Sequence, residues 1–124
     1  MKKLEWVGSS KKDLADFPKD VRQEVGYALY VAQRGGRYSK TKFFKGCGSG
    51  VYEIAIEYDT NAYRTVYILN LADTVYVIHC FQKKSKEGIK TPKEEVNIIK
   101  QRIKFVKSEI EKGIKSWLLK VMNK

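Results

Sequence analysis

Val51-Tyr52-Glu53-Ile54-Ala55-Ile56-Glu57-Tyr58 alternates strictly, with Tyr52, Ile54, Ile56 and Tyr58 on one side and Glu53, Ala55 and Glu57 on the other. A period of two belongs to an extended chain, whose successive side chains point to opposite faces, so the stretch reads as a half-buried β-strand. Asp59-Thr60-Asn61 supplies the turn that follows it. Two more β-branched and aromatic runs come next, Tyr63 to Leu69 and Val75 to Phe81, parted by a polar break near Ala72-Asp73. Three such runs with short connections predict an antiparallel meander, to which Leu4 to Val7 adds a candidate edge strand.

Outside the meander the period changes. Ser10 followed by Asp13 resembles a capping box and opens a short helix to about Asp16, and Pro18 suits the first turn of a second. Val21, Val25, Ala28, Leu29 and Ala32 recur at helical spacing until Gly35-Gly36 ends the pattern. Lys40 to Gly50 then reads as a basic, glycine-rich loop. Downstream, Thr91 as N-cap, Pro92 at the first helical position and Glu94 three residues on make the clearest helix start in the chain. Val96, Ile99, Ile103, Val106 and Ile110 form a stripe for docking on the sheet, and Gly113 either ends that helix or weakens it. Ile114, Trp117, Leu118 and Val121 restart the stripe, predicting a C-terminal extension helix over residues 114–124. That extension has two readings, packing on the chain's own core, which the sequence reading prefers, and docking of a partner helix.

The fold class is therefore α+β: two N-terminal helices, a small antiparallel sheet of three to five strands and a C-terminal helix. A chain of 124 residues suits one domain over residues 1–124. No run approaches the roughly 18 consecutive apolar residues of a membrane span, and no apolar signal core follows Met1-Lys2-Lys3, so a cytoplasmic protein without membrane contact is expected. Cys47 and Cys80 lack the Cys-x-x-Cys spacing of a zinc or redox site, His79 is the one histidine and the carboxylates are scattered. No metal or other cofactor is expected, and both thiols should be free.

Charge points to a polyanionic partner. Lysine and arginine number 25 against 14 acids, a formal net charge of +11, and such a surface attracts nucleic acid by counterion release. Arg37 to Gly50 holds four basic residues and no acid, and Lys83 to Lys93 is dense in lysine, whereas between Gly46 and Gln82 the one basic residue is Arg64. The bland alternative is a protein that is basic only for solubility.

The order of elements, with Ala62-Tyr63-Arg64-Thr65-Val66-Tyr67, Val75-Tyr76-Val77-Ile78-His79-Cys80-Phe81-Gln82-Lys83-Lys84-Ser85 and Gly88-Ile89-Lys90-Thr91-Pro92-Lys93, resembles the phage-derived HigB-type toxins of the RelE/ParE superfamily. The resemblance runs from about Leu14 to Val106, and its most specific parts are the Tyr-Arg pair and Phe-Gln-Lys-Lys-Ser followed by Lys-Thr-Pro. It implies a RelE-like, microbial-ribonuclease-like fold and a type II toxin that enters the ribosome and cuts the bound message without a metal. It also implies inhibition by a co-encoded, HigA-like antitoxin with a helix-turn-helix domain, in a hetero-oligomeric toxin-antitoxin complex.

Metal-free RNA cleavage needs a base for the 2′-hydroxyl, cations for the phosphorane and an acid for the leaving 5′-oxygen. Arg64 matches the family's strand arginine, and its planar fork suits a phosphate. The competing reading is a cross-strand salt bridge to Glu53 or Glu57, and a guanidinium walled off from solvent by such carboxylates would remove the nuclease reading. Lys83 and Lys84 point to opposite faces; the resemblance favours Lys84 as second phosphate ligand, with Lys83 as the reserve, against two solvated lysines at a strand end. Where ribosome-dependent relatives often carry basic residues, this chain has Glu53 and Ala55, so acid and base stay unassigned, with Glu53 a candidate base. His79 falls on the face of Val75, Val77 and Phe81 by alternation and reads as a structural histidine rather than a base. Lys40, Lys42, Lys45, Lys86, Lys90 and Lys93 form a candidate RNA-contacting rim. Two other functions stay open: a non-catalytic, ParE-like inhibitor of DNA gyrase, and a phage nucleic-acid-binding module without toxicity.

Overall fold

In the computed structural model the described residues are 1–70, 73–84 and 90–123, with the backbone alone for Asn70 and Lys84. The order is β1 (Lys3–Trp6), α1 (Ser10–Ala15), α2 (Lys19–Gln33), β2 (Thr41–Phe43), β3 (Val51–Tyr58), β4 (Asn61–Asn70), β5 (Thr74–Lys84) and α3 (Lys93–Met122). One five-stranded sheet runs β1-β5-β4-β3-β2. β2 to β5 pair antiparallel, as the meander predicts, and β1 joins the far edge parallel to β5. The fold is α+β. The basic loop contributes β2, a strand that the sequence reading did not foresee. Asp59 and Thr60 both have positive φ, the backbone of a two-residue primed hairpin whose twist matches its strands.

A helix covers each face of the sheet. α2 lays Val21, Val25, Ala28, Leu29 and Ala32 over Ile54, Ile56, Tyr63, Tyr67, Val75 and Val77. On the other face α3 sets Ile99, Ile103 and Val106 against Val51, Val66, Ile68, Ile78 and Phe81. Both stripes are those read from the sequence, each narrow enough to seat one helix on the sheet. The helix starts differ by one residue: Ser9 caps α1, Pro18 caps α2 and Pro92 caps α3, in place of Ser10 and Thr91 for the first and last.

Three expectations need correcting. Strict alternation puts His79 with Val75 and Val77, but the β4–β5 register shifts between Val66 and Tyr67, so Val77 opposes Tyr67 while His79 opposes Val66. This irregularity at Ile78 turns His79 to the α3 side, opposite Val75 and Val77. Second, β3 is buried on both faces at Glu53, not half-buried throughout. Third, α3 runs unbroken through Gly113, and Ile114, Trp117, Leu118 and Val121 remain exposed instead of closing the core. Cys47 and Cys80 are free, and among the described residues no helix is long and apolar enough to cross a membrane.

Candidate functional site

The charged residues of the meander gather on the α3 side of the sheet. Glu53 on β3 opposes Val66, Arg64 on β4 opposes Ala55 and Phe81, Lys83 on β5 opposes Ala62, and Lys42 on the edge strand β2 opposes Glu53. Residues opposite one another share a face, so four strands bring Lys42, Glu53, Arg64 and Lys83 into one row. The Glu53 carboxylate lies 3.5 Å from Lys42 Nζ and 4.0 Å from Arg64 Nε. Arg64 Nη2 donates to Glu57 Oε1 at 3.1 Å, and Nη1 donates to the Tyr63 carbonyl at 3.1 Å.

Arg64 is 8% exposed and Glu53 4%, and burying a charge is costly unless it is paired. The salt-bridge alternative weighed for Arg64 is therefore present in the molecule. The wall is uneven: the Glu53 side chain is buried, whereas that of Glu57 is 68% exposed and reaches in from solvent. Lys83 is buried too, and its ammonium pKa lies below the ordinary lysine value, chiefly through burial and secondarily through the neighbouring Arg64 charge.

Of the predicted rim, Lys42, Lys45 and Lys90 line one open hollow with Glu53, Phe44, Thr91 and Val96, where β2 meets the start of α3. Lys93 is exposed on the first turn of α3. Lys40 lies apart from this hollow, its ammonium 2.7 Å from Glu24 on α2, which holds the Glu24 carboxyl below the usual carboxylate range. Lys84 pairs in register with Asn61. Its side chain, and Lys86 as a whole, fall outside the described residues. Thr91, read from the sequence as a helix cap, instead lines the hollow; its place in the Lys-Thr-Pro string was the available signal.

His79 is locked by partners invisible to strand periodicity. Its Nε2 meets the Glu95 carboxylate and its Nδ1 lies 3.1 Å from Arg102 Nη1, both residues of α3. An arginine can only donate, so Nδ1 accepts from Arg102 and Nε2 donates toward Glu95. Arg102 also donates to the Ile78 carbonyl at 3.0 Å and to Ser9 Oγ at 3.0 Å, tying α3 to β5 and α1. Gly8 makes room for it: φ is +56°, and a Cβ there would sit 2.7 Å from Arg102 Nε. His79 is thus a satisfied, structural histidine. Among the described residues no group of three or more histidines, cysteines and carboxylates could hold a metal ion.

Residues 12–104 match the family model described as Phage derived protein Gp49-like. The chain belongs to that family. The match spans α2, the first part of α3 and every strand except β1, so it covers the whole row of charged residues. Among solved structures, this Gp49-like chain is similar to the isolated RelE toxin of Escherichia coli, at 17% identity and a TM-score of 0.54, over 82% of this chain and 98% of that one. It is also similar to the toxin-antitoxin complex RelBE2 of Mycobacterium tuberculosis, at 14% identity and a TM-score of 0.46, over 66% of this chain and 98% of that one. The fold is that of RelE. A comparison with curated proteins finds no sequence match.

Proposed function

We propose that this Gp49-like protein is the toxin of a type II toxin-antitoxin system, and that it cleaves messenger RNA on the ribosome without a metal. The observation that carries the reading is the row Lys42–Glu53–Arg64–Lys83, a buried carboxylate among three cations on one sheet face. In the proposed mechanism Glu53 takes the 2′-hydroxyl proton, and Arg64 with Lys42 stabilises the charge that develops on the phosphorane. Lys83 returns a proton to the leaving 5′-oxygen. A lowered ammonium pKa suits that task, because a lysine at its ordinary value is a weak acid at neutral pH. Lys83 replaces Lys84 as the preferred second cation because it shares the face of Arg64, and Lys84 keeps the reserve place. Lys45, Lys90 and Lys93 provide phosphate contacts around the hollow, Lys40 a more peripheral one, and Lys86, outside the described residues, keeps its place as a candidate of the same rim.

The scissile phosphate reaches Arg64 by displacing Glu57, whose exposed side chain has room to swing into water. The partners in this reading are the ribosome, the message and a co-encoded, HigA-like helix-turn-helix antitoxin that forms a hetero-oligomer with the toxin. The setting is the cytoplasm.

A second reading, non-catalytic inhibition of DNA gyrase, is favoured by the engagement of Arg64 in two carboxylate contacts. Induction of wild type, Arg64→Ala and Glu53→Gln in bacterial cells, with mapping of message 5′ ends, separates the two. New codon-phased ends with wild type that vanish with either variant support cleavage. DNA-damage induction with intact messages supports gyrase, and arrest by Arg64→Ala at the wild-type level removes Arg64 from the site.

A further inference from the structure

The apolar stripe of α3 does not stop where the sheet stops. Ile99, Ile103 and Val106 are buried against β3, β4 and β5, and Ile110 is half-buried at the sheet's end. The same helical face continues through Ile114, Trp117, Leu118 and Val121, which are between 44 and 61% exposed. Residues 111–122 extend about 18 Å beyond the docked part at the usual helical rise. Where the helix leaves the sheet, a groove opens between Ile110 and Ile114 on one side and Ile68 and Leu69 on the other, with Gly50 at its edge. A free amphipathic segment of this length is marginal in water, so the stripe is built to be covered.

The charges flanking it select the cover. From residue 107 onward, Lys107, Lys115 and Lys120 flank the apolar face against Glu109 and Glu111, while Lys112, paired with Glu109 at 3.4 Å, lies on the opposite side of the helix. A second copy would bring the same lysines together between two bodies of net charge +11, which opposes pairing. An apolar stripe edged by lysines is complementary to an apolar stripe edged by carboxylates. We propose that residues 110–122 form a docking site for an acidic amphipathic helix of another protein, seated in the groove by Ile68 and Leu69 and running along Ile114, Trp117, Leu118 and Val121. The inference does not depend on RNA cleavage. If the toxin reading holds, the antitoxin is the partner expected to carry that helix.

The test uses the full chain and two labelled synthetic peptides of identical composition. One places leucines at helical spacing between glutamate flanks, and the other scrambles that order. Fluorescence anisotropy should show the patterned peptide binding about tenfold or more tightly than the scrambled one, and Trp117→Ala or Leu118→Asp should abolish that preference. Both substitutions fall on exposed residues, and thermal melts confirm that the variants stay folded. Equal binding of the two peptides, or a preference that survives both substitutions, would overturn the proposal. So would concentration-dependent dimerisation that Leu118→Asp removes, or stripe-dependent binding to vesicles of anionic phospholipid with no preference between the peptides.

Discussion

The two faces of the sheet are covered by helices of the same amphipathic type, yet they end up chemically different. Under α2 the face is apolar and aromatic along its length, from Phe17 against Tyr63 to Tyr52 stacked on Tyr67. Burial there pushes the Tyr67 hydroxyl up to about 12, as removal from water must when the charged form is an anion. Under α3 the face is apolar only as far as Phe81 and Phe44, and then gives way to Glu53, Arg64 and Lys83. One helix seals its face. On the other face the apolar contacts with the helix give out, and buried ionised groups take their place. Burial on one face gathers apolar and aromatic side chains, and on the other it also brings opposite charges within 3.1 to 4.0 Å of one another.

The comparison can be broken at several points. Ile54→Ala on the α2 side and Ile99→Ala on the α3 side each remove a side chain with no exposure, and each should cost about 2–5 kcal/mol in urea unfolding. A much smaller cost for Ile99→Ala would mean that α3 is not a true second wall. His79→Ala should cost about 1–3 kcal/mol by the same measurement, because Glu95 and Arg102 each lose a partner. An unchanged midpoint would remove His79 as the tie between sheet and helix.

Lys83→Met tests the charged end directly. The folded pKa of Lys83 is lowered, so the unfolded chain binds its proton more tightly and the charged lysine disfavours the fold at neutral pH. As pH rises from the folded pKa towards the ordinary value of 10.5, that penalty fades. The variant should therefore have the higher urea midpoint near neutrality, with the gap closing on the alkaline side. A gap that widens with pH would show that the ammonium is stabilised where it lies. The smallest effect on stability belongs to Glu57→Gln, which loosens an exposed carboxylate and should change the midpoint by about 0–1 kcal/mol. In RNA binding the same variant should gain affinity and keep a steep salt dependence, and weaker binding would show that Glu57 does not guard Arg64.

The elements themselves were legible. The alternation of Val51 to Tyr58 and the spacing of Ile99, Ile103 and Val106 are local patterns, and each found the face that it implied. The candidate site was half legible: the isolation of Arg64 and the resemblance marked the strand, but not the partners. Lys83 and Lys84 differ by one residue, and only the pairing of Ala62 with Lys83 puts the former on the face of Arg64. His79 was assigned to the opposite face because alternation cannot foresee a register shift.

By itself the sequence determined the order of the helices and of every strand but β2, the core stripe of each helix and the excess of positive charge, since all of these are fixed by composition and by periods of two and 3.6 residues. The tertiary structure alone decided which carboxylates hold Arg64, where Lys83 is buried, and that the last turns of α3 leave the sheet with their apolar face bare. Those outcomes depend on strand register and on how far a helix overhangs its sheet, and both are set by contacts between residues distant in the chain.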